Sequence, residues 1–291
     1  VTPAVVPHTV HDGLAVYAAG DGPPVLLVPG PHRFQRPGTP SADALIAGLT
    51  ALGRRVITYD PPGSGASTRP ADVGMAEMHT CNDEALAVLG VTGPVDAVGH
   101  SMAGLVLLAY ALDRPDRVAR LVLVGTGTGG RAYLTAPGAL WNRTHPDFAG
   151  MAALGSLHTV LPCRATEVLL NRYIARRSYL DRSAAPVGRV RASDWWHRRE
   201  GRASWHWRAR RMDYGPRLGE LAVPTLVACG RHDPQYPVSC SEELAAGIAD
   251  AQLILFERSG HFPFLEEPEA FWECIGTFLG GGQTSSTRNT G

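Results

Sequence analysis

The sequence has no lysine: all 27 of its basic residues are arginine. Arginine is always charged and suits planar anions, but its enrichment alone names no ligand, and a GC-rich coding sequence accounts for it. The 27 acids balance those arginines to a formal charge of zero, so the whole-protein field gives no case for nucleic acid. Cysteines are few: Cys81, Cys163, Cys229, Cys240 and Cys274 are odd in number, widely spaced and form no C-x-x-C. That argues against a disulfide framework and against structural zinc. No His, Asp or Glu cluster has metal-ligand spacing and no glycine loop matches a nucleotide fingerprint, so neither metal nor cofactor is expected. No apolar run approaches the roughly 18 residues of a membrane span. Residues 1–8 hold no basic stretch followed by an apolar one, so no signal peptide is expected, and the cytoplasm is the expected location. With 44% hydrophobic and 19% charged residues over 291 positions, disorder is excluded for the chain as a whole.

Short runs rich in Val, Leu and Ile do recur, at residues 25–28, 55–59, 95–98, 121–124, 225–228 and 253–256. Runs this short and this apolar fit strands buried on both faces of a parallel sheet. Helix-like stretches lie between them at 42–52, 75–89, 102–112, 239–248 and 268–279, which implies βαβ units. An amino-terminal hairpin over 8–16, turning at Asp12-Gly13, adds antiparallel strands. After Val124 the alternation stops. Residues 128–217 read as a largely helical insertion between core segments 1–127 and 218–280, with Gly-Thr-Gly-Thr-Gly-Gly (125–130) as its flexible exit. The insertion holds 16 arginines against six acids, and the zero total therefore hides a basic insertion on an acidic body. That excess reads as a solvated face, or as an attraction for an anionic substrate or an acidic carrier protein with a bound acyl group. The tail, 281–291, is polar, low in complexity and expected to be disordered.

The segment PVDAVGHSMAG (94–104) carries the chemistry. A strand runs into Gly99-His100-Ser101-Met102-Ala103-Gly104 and then straight into a helix. A nucleophile on such a sharp turn needs very small neighbours, because strand and helix backbones pass close together. Asp233, in LAVPTLVACGRHDPQYP, follows a later strand, and His261, in FERSGHFPFLEEP, follows the last one. Ser, acid and His thus appear in the order this arrangement uses. No acid occurs from Leu121 to Pro146, which leaves Asp233 as the acid. Separately, Ser101 reads as a helix cap, Asp233 as a turn residue and His261 as a loop residue. Together they read as nucleophile, orienting acid and general base. His100 is read as structural.

Over nearly its whole length the sequence resembles the α/β-hydrolase superfamily, through VLLVPGP (25–31), YDPPGSGAS (59–67), VGHSMAG (98–104), GRHDP (230–234) and GHFPFLEEPEAF (260–271). The resemblance implies an α/β-hydrolase fold, a mostly parallel central sheet flanked by helices, with an inserted helical cap. Within the superfamily the pattern is most similar to the proline iminopeptidase-like and esterase group. DWWHRREG (194–201) matches that group's Trp-x-x-x-Glu-Gly with Trp196, Glu200 and Gly201. In such peptidases the glutamate binds the substrate's free amine. Four tryptophans at 195, 196, 205 and 207 read as helix packing or as a wall for an acyl group. Pro31, Trp196, Glu200 and Phe262 are the candidate substrate-binding residues.

One departure bears on mechanism. The superfamily usually has His-Gly-x after the third strand, with the N–H of x as one oxyanion donor; here the segment reads Pro29-Gly30-Pro31, and Pro31 has no N–H. Met102 supplies the other donor. Either the loop shifts so that His32 donates, or the reaction needs less oxyanion stabilisation than amide hydrolysis, or nothing is hydrolysed. The expected function is a serine hydrolase that cleaves an ester, lactone or thioester of a small, partly apolar molecule through acyl-Ser101. The alternatives are a proline iminopeptidase-like aminopeptidase and a biosynthetic enzyme performing elimination, cyclisation or isomerisation.

Overall fold

The architecture comes from a computed structural model, which describes residues 8–30, 36–70, 74–129, 132–161, 163–183 and 211–280. In chain order the strands are β1 (Thr9–His11), β2 (Leu14–Ala19), β3 (Pro24–Leu27), β4 (Arg55–Tyr59), β5 (Val95–His100), β6 (Val118–Val124), β7 (Thr225–Gly230) and β8 (Ala251–Phe256). They form one sheet in the order β1-β2-β4-β3-β5-β6-β7-β8. The six strands from β4 to β8 in that order are mutually parallel, and the β1–β2 hairpin continues the sheet antiparallel to β4. Asp12 (φ 44°) and Gly13 (φ 75°) make the hairpin turn, the two-residue positive-φ geometry that Asp-Gly favours.

The helices are α1 (Pro40–Ala51), α2 (Met75–Val88), α3 (Met102–Asp113), α4 (Ala132–Thr135), α5 (Phe148–Val160), α6 (Arg164–Ser178), α7 (Val238–Gly247), α8 (Pro263–Glu266) and α9 (Pro268–Gly280). Because strand side chains alternate between faces, the sheet has two cores. Val25, Leu27, Val122 and Val124 point toward α1 and α9, where Leu45, Ile46, Leu49, Phe271 and Ile275 meet them. Leu26, Val28, Leu121 and Leu123 point the other way, onto α2 and α3. Every residue of α3 from Met102 to Leu112 is buried, as expected of a helix that is apolar all round.

The motif YDPPGSGAS closes on itself just after β4. The Asp60 carboxylate accepts the Tyr17 hydroxyl at 2.6 Å and the Ala66 N–H at 2.7 Å. Gly65 (φ 54°) lies so near this carboxylate that a Cβ would stand 1.9 Å from it. This stretch of the family resemblance is thus a buried acid and the loop wrapped around it.

Between β6 and β7 the described residues form helices α4, α5 and α6 and a 3₁₀ helix at Gly215–Glu220. The neck of this segment is a bridge between Gly129 and Asp213, with the Tyr214 N–H donating to Thr128 O at 2.9 Å. Residues 125–129 correct the expectation of a loose exit. All five are buried, and Gly127 packs on Tyr236 and Cys240 while Gly129 packs on Leu105. Their glycines serve close approach rather than freedom.

Candidate active site

Strand β5 runs two residues further than the sequence suggested, to His100, and the chain turns at Ser101 into α3. Ser101 has φ 58° and ψ −126°; Asp12 is the other non-glycine with positive φ among the described residues. Such a conformation costs about 1–3 kcal/mol and persists where neighbours enforce it. The Ser101 N–H donates to Val124 O at 2.8 Å. A Cβ on Gly99 would meet Ala103 O at 2.8 Å, and one on Gly104 would meet the Thr126 side chain at 2.7 Å. Gly99 is therefore demanded by the close passage of the α3 backbone, and Gly104 by the Thr126 side chain packed against it. Met102 is the first residue of α3, so its N–H has no acceptor within the helix.

Asp233 lies just after β7 and His261 just after β8, at the same carboxyl edge of the sheet as Ser101. Ser101, Asp233 and His261 are all buried, each less than a tenth exposed. His261 Nδ1 donates to Asp233 Oδ2 at 2.7 Å. A carboxylate only accepts, so the proton of the neutral ring sits on Nδ1 and Nε2 keeps its lone pair. The other oxygen, Asp233 Oδ1, accepts the N–H groups of Gln235 at 2.7 Å and Tyr236 at 3.0 Å. Both carboxylate oxygens are thereby committed. Gly125 (φ 50°), after β6, comes so near that a Cβ would lie 3.1 Å from Asp233 Oδ2 and 3.3 Å from His261 Nδ1. The backbone just after β6, within the stretch that carries no acid, thus abuts the acid–histidine pair itself.

His100 has the structural place expected of it. Its Nε2–H donates to the His261 carbonyl at 2.8 Å, and the two rings lie 4.5 Å apart. Phe262 stacks on Tyr179 (4.7 Å, 26°) and also faces His100, His261 and Phe264. Pro31 and His32, expected at the oxyanion hole, and Trp196 and Glu200, expected in the cap, lie outside the described residues.

Several residues around the pair were not foreseen. Glu266 accepts the N–H groups of Gly260 (2.9 Å), Phe262 (3.3 Å) and Leu180 (2.8 Å). Burial pushes the Glu266 carboxyl up from its ordinary value, against the pull of those three donors. Glu267 accepts the Arg258 N–H and the Ser259 hydroxyl, at 2.9 and 2.6 Å. The two glutamates fix the loop that carries His261. Their sequence signal was present, because the pair directly follows GHFPFL. Ser178, whose carbonyl accepts the His261 N–H at 2.6 Å, had none. Among the described residues no group of three His, Cys, Asp or Glu side chains could hold a metal, and no helix is long and apolar enough to cross a membrane.

A parallel sheet with a strained serine between strand and helix, and an acid–histidine pair after the last two strands, defines an α/β hydrolase. The family model described as alpha/beta hydrolase family matches residues 25–273, and the chain belongs to that family. It is an enzyme of hydrolase type. A 2-hydroxy-6-oxononadienedioate/2-hydroxy-6-oxononatrienedioate hydrolase from Cupriavidus pinatubonensis is 32% identical over 247 residues, covering 80% of this chain and 78% of that protein. The crystal structure of a hydrolase from Pseudomonas aeruginosa PA01 has a TM-score of 0.70 at 28% identity, over 92% of this chain and 94% of that one. An alpha/beta fold family hydrolase from Bacillus anthracis str. Sterne has a TM-score of 0.72 at 19% identity, over 91% and 95% of the two chains. This last likeness is one of fold.

Proposed function

We propose that Ser101, His261 and Asp233 are the catalytic triad of a hydrolase that cleaves carboxylic ester, lactone or thioester bonds in small to medium, partly apolar substrates. The observation that carries this reading is the buried Asp233–His261 pair at 2.7 Å, on the sheet edge where Ser101 is held at φ 58°. His261 Nε2 takes the proton of Ser101 Oγ as that oxygen bonds to the carbonyl carbon. The tetrahedral oxyanion is stabilised by the Met102 N–H. His261 passes its proton to the leaving oxygen or sulfur, which departs and leaves acyl-Ser101. Water then adds with His261 as base, and the acid product leaves with Ser101 reprotonated.

Esters are favoured over peptides because Pro31 has no N–H, so amide cleavage, with its poorer leaving group, would lean on a weakened oxyanion hole unless His32 donates. The Cupriavidus relative supports hydrolysis as the reaction. Its named substrates are dioates, and the arginine surplus of residues 128–217 suits a substrate with a free carboxylate, or else an acidic carrier protein that brings an acyl group. Five free thiols suit the cytoplasm. Trp196, Glu200 and Gly201 favour a second reading, an aminopeptidase of the proline iminopeptidase kind with Glu200 on the substrate's amine. The test is a screen of p-nitrophenyl esters, thioesters, lactones and amino-acid amides, with Ser101→Ala as control. Turnover of esters that vanishes in Ser101→Ala is the expected result. Release of an amino-terminal residue, lost in Glu200→Gln, selects the aminopeptidase, and no turnover of any class overturns the hydrolytic reading.

A further inference from the structure

Two loops must keep register for Asp233 and His261 to work as a pair, and both are tied to one residue of the inserted segment. Ser178, the last residue of α6, is fully buried. Its carbonyl accepts the His261 N–H at 2.6 Å. Its hydroxyl donates to Ile174 O at 2.8 Å, so the same oxygen is free to accept, and it accepts the Gln235 side-chain amide at 2.8 Å. Gln235 in turn gives its backbone N–H to Asp233 Oδ1 at 2.7 Å. A continuous path therefore runs from Asp233 through Gln235 and Ser178 to His261 and closes at the Asp233–His261 contact. The residues after Ser178 extend the attachment. Tyr179 is buried and stacks on Phe262, and the Leu180 N–H donates to Glu266. Gly260 approaches so closely that a Cβ there would stand 2.3 Å from Ser178 O.

We infer that Gln235 and Ser178 are positioning residues for the proposed triad: the end of α6 holds the acid loop through a side chain and the histidine loop through the main chain. The inference rests on the triad reading above. A merely structural role would be met by the backbone contacts alone. The Gln235 amide adds a link that joins the acid loop to the element that also anchors the histidine. Without that link the acid loop can shift against the histidine loop, which matters because a misplacement of about 1 Å can cost on the order of 10²-fold in rate.

The test is the rate of fluorophosphonate labelling of the full chain, read with Gln235→Met, Ser178→Ala and the double variant. Gln235→Met removes the donor at similar volume. Its saturating labelling rate should fall roughly fivefold, what one neutral hydrogen bond supplies. The half-saturating probe concentration should not change, and the Tm should fall by no more than about 4 °C. Ser178→Ala should lose as much, the double variant no more than either single one, and Ser178→Thr, which keeps the hydroxyl, should recover the rate. A rate for Gln235→Met within twofold of the original protein overturns the inference, as do losses that multiply in the double variant. Should Gln235→Met not fold, Gln235→Asn, too short to reach Ser178, carries the same expectation and the same refutation. Labelling of the original protein separates this failure from that of the triad. If the original protein is not labelled at Ser101, the triad reading fails and this inference falls with it.

Discussion

Replacement of Asp233 by Asn tests the proposed triad at its buried acid, and the structure fixes how the new amide must sit. Asp233 Oδ1 accepts two backbone N–H groups, from Gln235 and Tyr236, while Oδ2 faces His261 Nδ1 at 2.7 Å. An asparagine whose oxygen turned to His261 would aim its NH₂ at two N–H donors. Each donor left unsatisfied in the interior costs about 1–3 kcal/mol, so the amide oxygen stays with Gln235 and Tyr236. The NH₂ then faces Nδ1, and His261 has to carry its proton on Nε2, where it cannot take one from Ser101. A triad in the wrong tautomer loses roughly 10⁴-fold in kcat, equivalent to about 5.5 kcal/mol of transition-state stabilisation. The fold keeps its volume and both backbone bonds, so the Tm should move by only a few degrees, about 4 °C at most. The assay is kcat on the best ester from the screen, alongside a thermal melt. A loss in kcat smaller than about tenfold would refute the tautomer argument, and so would a large loss that merely tracks unfolding.

Three further outcomes follow from the same geometry. Ser101→Gly should abolish activity yet raise stability by about 1 kcal/mol, because relief of the strain at φ 58° exceeds the entropy cost of glycine; a lower Tm would count against that strain. Gly260→Ala places a Cβ 2.3 Å from Ser178 O, and should lower stability by about 1–3 kcal/mol together with the labelling rate of Ser101; unchanged values in a melt and a labelling course would contradict the close approach. Glu266 binds its proton more tightly folded than unfolded, so its stabilising contribution is full below the free carboxyl's pKa of about 4.3 and is lost as pH rises through the folded value. The Tm of the original protein minus that of Glu266→Gln should therefore shrink between about pH 4 and pH 7, and a gap that widens over this range would reverse the sign.

Much of this molecule is legible in its sequence because its strands are short, apolar and punctuated. Residues 55–59 form β4 as expected, and Asp12-Gly13 turns the hairpin, since period and turn chemistry are local properties. The order of Ser101, Asp233 and His261 was readable for the same reason: each follows its own strand. What local pattern could not give was the function of the small residues at 125–129. They look like a loose linker but are buried, because Gly125 must let the Asp233–His261 pair come close. Nor could it give Ser178, which meets Gln235 across 57 residues of chain. A contact of that span leaves no trace in spacing. Glu266 and Glu267 stood in plain view beside His261, and an eye for acceptors of backbone N–H groups would have found them.

The central claim is that Ser101 is an activated nucleophile, and covalent labelling tests it most directly. The protein is treated with a fluorophosphonate, its intact mass recorded and the adduct mapped by peptide, with Ser101→Ala in parallel. The account predicts a single adduct on Ser101, absent from the variant. A folded protein that takes no adduct, or takes it on another residue, would contradict it.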